Sequence, residues 1–135
     1  MIIGLDIGKT RTGIAKSDTL GIVIKPFATV LTKNLIPELK KIHEESDIEK
    51  FILGEPINIE KGNNEAYDFV MKSKEMLEKE FTGIPIEFID ERFTSKEAQA
   101  TLAAQGKKIN KDNKELIDMY AAAIILEQYF NNLED

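Results

Sequence analysis

Met1-Ile2-Ile3-Gly4-Leu5-Asp6-Ile7-Gly8-Lys9-Thr10-Arg11-Thr12-Gly13 decides how the rest of the chain is read. Its first half is an apolar strand with one carboxylate, Asp6, near the end. A charge in such a strand is costly to bury unless it is paired or holds a cation. Gly8–Gly13 is a glycine-bracketed turn, a shape that lets backbone come close to a ligand, and Lys9 and Arg11 bring positive charge to it. A second apolar run, Ile14-Ala15, follows at once, so the two runs read as a hairpin. Asp6 either caps the turn by hydrogen bonding to it or does chemistry, and this stretch alone leaves both open.

Outward from there, Ile2–Ile7, Gly13–Ser17 and Ile22–Val30 read as three short strands. Asn34–Glu45 reads as a helix with Leu35, Leu39 and Ile42 on one face and Pro37 in its first turn. Lys50–Gly54 is a compact apolar strand ending in Glu55-Pro56. A loop through Gly62 leads to a helix over Asn64–Phe81, with Phe69, Val70, Ser73, Met76 and Leu77 expected inward. Pro85–Ile89 is another strand, closed by Asp90-Glu91-Arg92. Thr94-Ser95-Lys96-Glu97 fits a capping box, which starts a helix running to Ala104. Gln105–Asn113 is a polar, lysine-rich loop, and Lys114–Asn131 a final helix. The order β-β-β-α-β-α-β-α-α predicts an α/β fold, a mixed sheet with an antiparallel hairpin strand and helices on both faces. No repeat or linker divides the chain, so residues 1–135 are expected to form one domain.

The chain carries 24 acidic and 18 basic residues, a net charge of −6. That argues against a protein that coats nucleic acid through its overall field, but not against a nuclease whose active-site acids are offset by metal. Cysteine is absent, which excludes disulfides, zinc–thiolate sites and cysteine nucleophiles. The sequence has no apolar run of membrane-spanning length, and its opening lacks the basic-then-apolar pattern of a signal peptide. A cytoplasmic protein with no membrane partner is expected.

In open α/β sheets, sites form at the carboxyl ends of the strands, and Asp6, Glu55 and Asp90-Glu91 all fall there. Asp118 is the second anomaly. It shares a helical face with Ala121, Ala122 and Ile125, an apolar stripe turned toward the sheet. It therefore pairs with a buried Arg or Lys or faces a cation. Asp90 and Glu91 are adjacent, so on a strand they face opposite sides and only one can join the site. Thr94 is accounted for as an N-cap. Three convergent carboxylates without His or Cys suit magnesium or manganese rather than zinc. Two such ions can activate a water and stabilise the leaving oxygen of a phosphodiester. His43, far in sequence from these strand ends, is expected at the surface or its boundary. Lys9 and Arg11, Arg92 and Lys96, and Lys107, Lys108, Lys111 and Lys114 each adjoin a candidate acid, which suits phosphate contact. Aromatic residues, at 7%, are too few for base-stacking platforms, which favours recognition by backbone and shape.

Four groups of residues, in order, resemble the YqgF (RuvX) family of pre-16S rRNA nucleases and Holliday-junction-resolvase-like proteins. They are Gly4-Leu5-Asp6-Ile7-Gly8 with Arg11, Gly13 and Ala15; Gly54 and Pro56 with Asn58 and Gly62; Asp90-Glu91-Arg92 with Thr94-Ser95 and Ala98; and Asp118 with Ala121-Ala122 and Ile125-Leu126. The resemblance implies an RNase H-like fold with a five-stranded mixed sheet, and a cytoplasmic nuclease that matures the 5′ end of 16S ribosomal RNA. Carried over position by position, it implies Asp6, Glu91 and Asp118 as catalytic acids and ligands of two Mg²⁺ or Mn²⁺ ions. Lys9, Arg11, Asn58, Arg92 and Lys96 are then expected on the substrate.

Glu55 departs from the family, which usually has an apolar residue there. It is either a fourth metal ligand, since related RuvC-type resolvases carry an acid near that strand end, or a solvated strand-end Glu. The expected substrate is structured precursor rRNA. The alternatives are branched DNA, or a non-catalytic assembly factor that binds ribosomal RNA or protein. An actin- or hexokinase-like ATPase shares the Asp6-Ile7-Gly8…Gly13 pattern but needs two lobes, which 135 residues cannot supply. A resolvase acting on a symmetric junction would dimerise, yet no strongly apolar exposed helix face announces an interface. A monomer or weak homodimer is expected.

Overall fold

The structure is a computed structural model and describes residues 1–56, 65–90 and 114–133. Its elements are β1 (Ile2–Ile7), β2 (Arg11–Ser17), β3 (Ile24–Leu31), α1 (Leu35–Glu45), β4 (Lys50–Glu55), α2 (Glu65–Glu80), β5 (Ile86–Asp90) and α3 (Lys114–Leu133). The strands form one five-stranded sheet in the order β3-β2-β1-β4-β5. β2 runs antiparallel to both its neighbours, while β1–β4 and β4–β5 are parallel. The expected mixed sheet with a β1–β2 hairpin is thus what forms. The helix expected up to Ala104 and the loop Gln105–Asn113 lie outside the described residues.

Composition explains the strand order. β1 and β4 are apolar along most of their length, and with β2 they are buried on both faces and occupy the middle. β3 and β5 mix apolar with charged residues and form the edges. Pro26 sits on edge strand β3, where a missing N–H is tolerated.

Alternation along the strands then sorts side chains into two layers. Ile3, Leu5, Phe51 and Leu53 pack with Leu35, Leu39 and Ile42 of α1 and Val70 and Leu77 of α2. Ile2, Ala15 and Ile52 pack on the other face with Ala122, Ile125, Leu126 and Tyr129 of α3. Asp6, in step with Ile2 and Gly4, belongs to the α3 face. The apolar stripe expected on α1 is the one buried. On α2 the expectation needs correction, because Met76 is 56% exposed. It lies roughly 120° around the helix from Val70, too far to reach the sheet.

The helix α3 packs unusually close to the central strands. A Cβ added at Gly4 would come within 2.6 Å of Leu126 Cγ and 2.9 Å of the Ala122 carbonyl oxygen. Small residues on both surfaces, Gly4 and Ala15 below and Ala122 above, are what permit it. His43 is half-buried, as expected for a boundary residue; its Nδ1 accepts the Ile48 N–H at 2.9 Å, and its ring meets Phe81 edge-on.

Lys50, Glu87 and Tyr129 tie the amino end of β4 to β5 and α3. Lys50 Nζ lies 2.6 Å from Glu87 Oε2 and donates to the Tyr129 hydroxyl at 2.9 Å. The hydrogen bond from Lys50 holds the Glu87 carboxyl below the ordinary glutamate value, and the same bond raises Lys50 above the ordinary lysine value. Glu87 therefore contributes stability fully above about pH 4.3, and the contribution is lost as pH falls through its depressed value. Lys50 contributes fully below about pH 10.4 and loses its share as pH rises through its raised value. Melting temperature against pH should show a shallower acid limb in Glu87→Gln than in the parent protein.

Candidate active site

The β1–β2 connection is a tight hairpin: the Gly8 N–H donates to the Arg11 carbonyl at 2.9 Å, across Lys9 and Thr10. That loop length fixes the register, so Asp6 stands opposite Gly13 and Ile7 opposite Thr12. On the next strand Gly13 stands opposite Thr29. Thr29, Gly13 and Asp6 thus form a row across the sheet on the face that α3 covers.

The amino-terminal part of α3 is seated on this row. Thr29 Oγ1 donates to the Glu115 carbonyl at 2.6 Å. The Asp118 backbone lies directly over Gly13, where an added Cβ would overlap the Asp118 carbonyl oxygen. This corrects the reading of Gly13 as the far bracket of a ligand-binding turn. It is an interior residue of β2, and its missing side chain admits a helix. The consequence is that the α3 backbone at Asp118 reaches the sheet at the residue paired with Asp6, with no side chain from Gly13 between helix and sheet.

Arg11 shares the Gly13 face, two residues earlier in β2, and its Nε donates to Asp118 Oδ2 at 2.9 Å. That hydrogen bond, reinforced by the Asp118 charge, raises Arg11 above its ordinary value, so the guanidinium stays protonated throughout. Asp118 is thus paired, though with a partly exposed arginine rather than the buried one expected. It engages one oxygen only: Oδ1 has no partner among the described residues. With the two side chains 36% and 21% exposed, solvent screens the pair, and Arg11→Ala should cost no more than about 1 kcal/mol in a urea titration.

Lys9 forms an ion pair with Glu65 at 2.9 Å, exposed on both sides and worth little to stability. Glu55 and Asp90 stand opposite each other in the β4–β5 ladder. They are in step with Leu53 and Phe88, which face α1 and α2. Alternation thus turns Glu55 and Asp90 away from Asp6, and Glu55 is not gathered with Asp6 and Asp118. Glu91, Arg92, Lys96 and Asn58 lie outside the described residues, as do Lys107, Lys108 and Lys111. Among the described residues no three of His, Cys, Asp or Glu cluster as a metal site.

The two acids on this face, Asp6 and Asp118, suit a hard divalent cation. Both offer carboxylate oxygen, and neither has a His or Cys beside it to favour a softer metal. Gly13 was the residue whose part was hardest to foresee. A two-residue loop at Lys9-Thr10 would have revealed it, since that loop alone sets Gly13 opposite Asp6.

The family model described as "RuvX: Holliday junction resolvase" matches residues 1–132. Two relatives bear the name "Putative pre-16S rRNA nuclease". One, from Azobacteroides pseudotrichonymphae, is 38% identical over 133 residues, covering 98% of this chain and 96% of the relative. The other, from Phocaeicola vulgatus, is 37% identical over 132 residues, covering 97% and 95%. Thermus thermophilus RuvC in complex with Holliday junction substrate has a similar structure, with a TM-score of 0.58 at 15% identity over 98% of this chain and 94% of that one. Fowlpox virus resolvase with Holliday junction DNA gives a TM-score of 0.57 at 17% identity over 99% of each chain. At these identities the likeness is one of fold, the RNase H-like frame of the resolvases.

Proposed function

The chain belongs to the RuvX family, and from that premise we propose that it is a metal-dependent nuclease that hydrolyses phosphodiester bonds at the 5′ end of precursor 16S rRNA. One observation carries the reading: the Asp118 backbone lies over Gly13, the residue paired with Asp6 in the next strand, so two acids far apart in sequence come to the same face of the sheet. Glu91 is proposed as the third acid, since Asp90 is turned to the other face and leaves Glu91 as the member of the pair for this role.

Two Mg²⁺ or Mn²⁺ ions held by these carboxylates would supply an activated water and charge stabilisation at the leaving oxygen. The chain's own groups do the positioning. Asp6 is fixed on the central strand, hydrogen-bonded between β2 and β4. Asp118 is held at Oδ2 by Arg11, whose fixed positive charge also stands ready for a phosphate oxygen. Lys9, Asn58, Arg92 and Lys96 are proposed to grip the sugar–phosphate backbone. No described helix is long and apolar enough to cross a membrane, and the proposed setting is the cytoplasm, with the protein a monomer or weak homodimer.

The test is cleavage by purified protein with Mn²⁺, on precursor rRNA ends and on four-way DNA junctions, beside an Asp6→Asn control. Cutting of the rRNA by the parent protein alone is expected. Preference for the junction would move the substrate to branched DNA. No cutting of either, or equal cutting by the control, would overturn the enzymatic reading.

A further inference from the structure

A groove of about 390 Å³ opens between α1 and α2 on the face opposite Asp6. Ile36, Phe69 and Met76 line it with apolar surface, Lys33 and Lys72 line it with positive charge, and Lys9, paired with Glu65, stands at it too. Among the described residues no carboxylate lines it, although the chain as a whole carries a net charge of −6. Lys33 and Lys72 form no ion pair among the described residues, unlike Lys40, Lys41, Lys50 and Lys74. Met76, at 56% exposure, contributes little to the core. Nothing in the packing requires these lysines and this methionine to share one depression.

The groove also reaches the active-site turn. Lys9 belongs to the hairpin loop that follows β1. Thr32, the residue before Lys33, fastens that loop: its Oγ1 donates to the Gly8 carbonyl at 2.6 Å and its N–H to the Thr10 carbonyl at 2.9 Å. A strand held at Asp6 can therefore continue past Lys9 into the groove without leaving the protein surface.

The geometry points to a second substrate-binding region here, for an unpaired segment of the nucleic-acid strand beside the bond that is cut. Its phosphates lie against Lys33 and Lys72, and a base rests on Ile36, Phe69 and Met76. Charge selects the occupant: the lysines meet a polyanion, and the apolar floor meets a base face. One aromatic ring among aliphatic neighbours serves a single base, consistent with a chain that lacks stacking platforms. The inference rests on the nuclease reading for the identity of the strand, but binding is measured separately from cleavage.

Fluorescence anisotropy with short labelled oligo(U) and oligo(dT), without divalent ions so that nothing is cut, tests it. Lys33→Glu with Lys72→Glu should weaken binding about tenfold or more and lower the slope of log affinity against log salt by about 1.4, at roughly 0.7 per phosphate contact on a single strand. Met76→Glu, at an exposed position, should weaken it about fivefold or more through the base contact. Lys16→Glu with Lys25→Glu, opposite each other on β2 and β3 and outside the groove lining, makes the same change in net charge and should bind nearly as the parent does. Equal losses on both oligonucleotides assign the contact to phosphate and base; losses on oligo(U) alone add the ribose hydroxyl. Unchanged affinity in the groove variants, or an equal loss in the control pair, overturns the proposal. Failure of the nuclease reading would appear instead as no Asp6-dependent cleavage with Mn²⁺, whatever the binding results.

Discussion

Asp6→Asn should abolish cleavage, by about a thousandfold or more, in a protein that still folds. The size follows from charge stabilisation by bound metal, worth several kcal/mol, at roughly 1.4 kcal/mol per tenfold in rate. The amide has nearly the shape of the carboxylate, and β1 is held in the sheet by β2 and β4 on either side. The strand pairing that holds β1 in place does not use the Asp6 side chain, which is half-buried. Calorimetric titration with Mn²⁺ should show affinity falling at least about tenfold in step with activity. A large fall in melting temperature would instead make Asp6 a structural residue, the turn-capping alternative.

Gly13→Ala is expected to have the largest effect on stability. Its Cβ would overlap the Asp118 carbonyl oxygen, a backbone atom of a helix, so no rotamer change relieves it. Either α3 lifts from β2 or β2 bends, and α3 brings Ala122, Ile125, Leu126 and Tyr129 to the core. Overpacking of this kind costs about 3 kcal/mol or more when backbone must move, which urea denaturation would register. Activity should fall further than the unfolded fraction explains, because the shift carries Asp118 away from Asp6. A Gly13→Ala protein with parental stability would mean that the helix does not rest on this glycine.

Much of this was legible in the chain because its signals are local. The continuous apolar runs of Ile2–Ile7 and Lys50–Gly54 mark strands buried on both faces, and Leu35, Leu39 and Ile42 mark the inner stripe of α1. Asp6 and Asp118 stood out because each interrupts an apolar pattern. What depended on three-dimensional register was harder. Glu55 and Asp90 end their strands as Asp6 nearly ends its own, yet one step of alternation turns them to the other face. Met76 reads as inward from apolarity alone, but its angle around α2 puts it at the surface. Gly13 looked like a turn residue because a glycine made necessary by a helix more than a hundred residues away has no local signature.

The separation of the two acids in the sequence has a consequence in time. Arg11 and Asp118 are 107 residues apart, whereas the β1–β2–β3 hairpins close through short loops. Local pairings of that kind form early, and long-range ones wait for the chain between them. As the chain leaves the ribosome, amino-terminal segments are first to order, so Asp6 is in place while α3 is still being made. On the proposed site, a nascent chain would hold Asp6 without Asp118 and have no means of cutting RNA. Activity would then wait for α3 to dock.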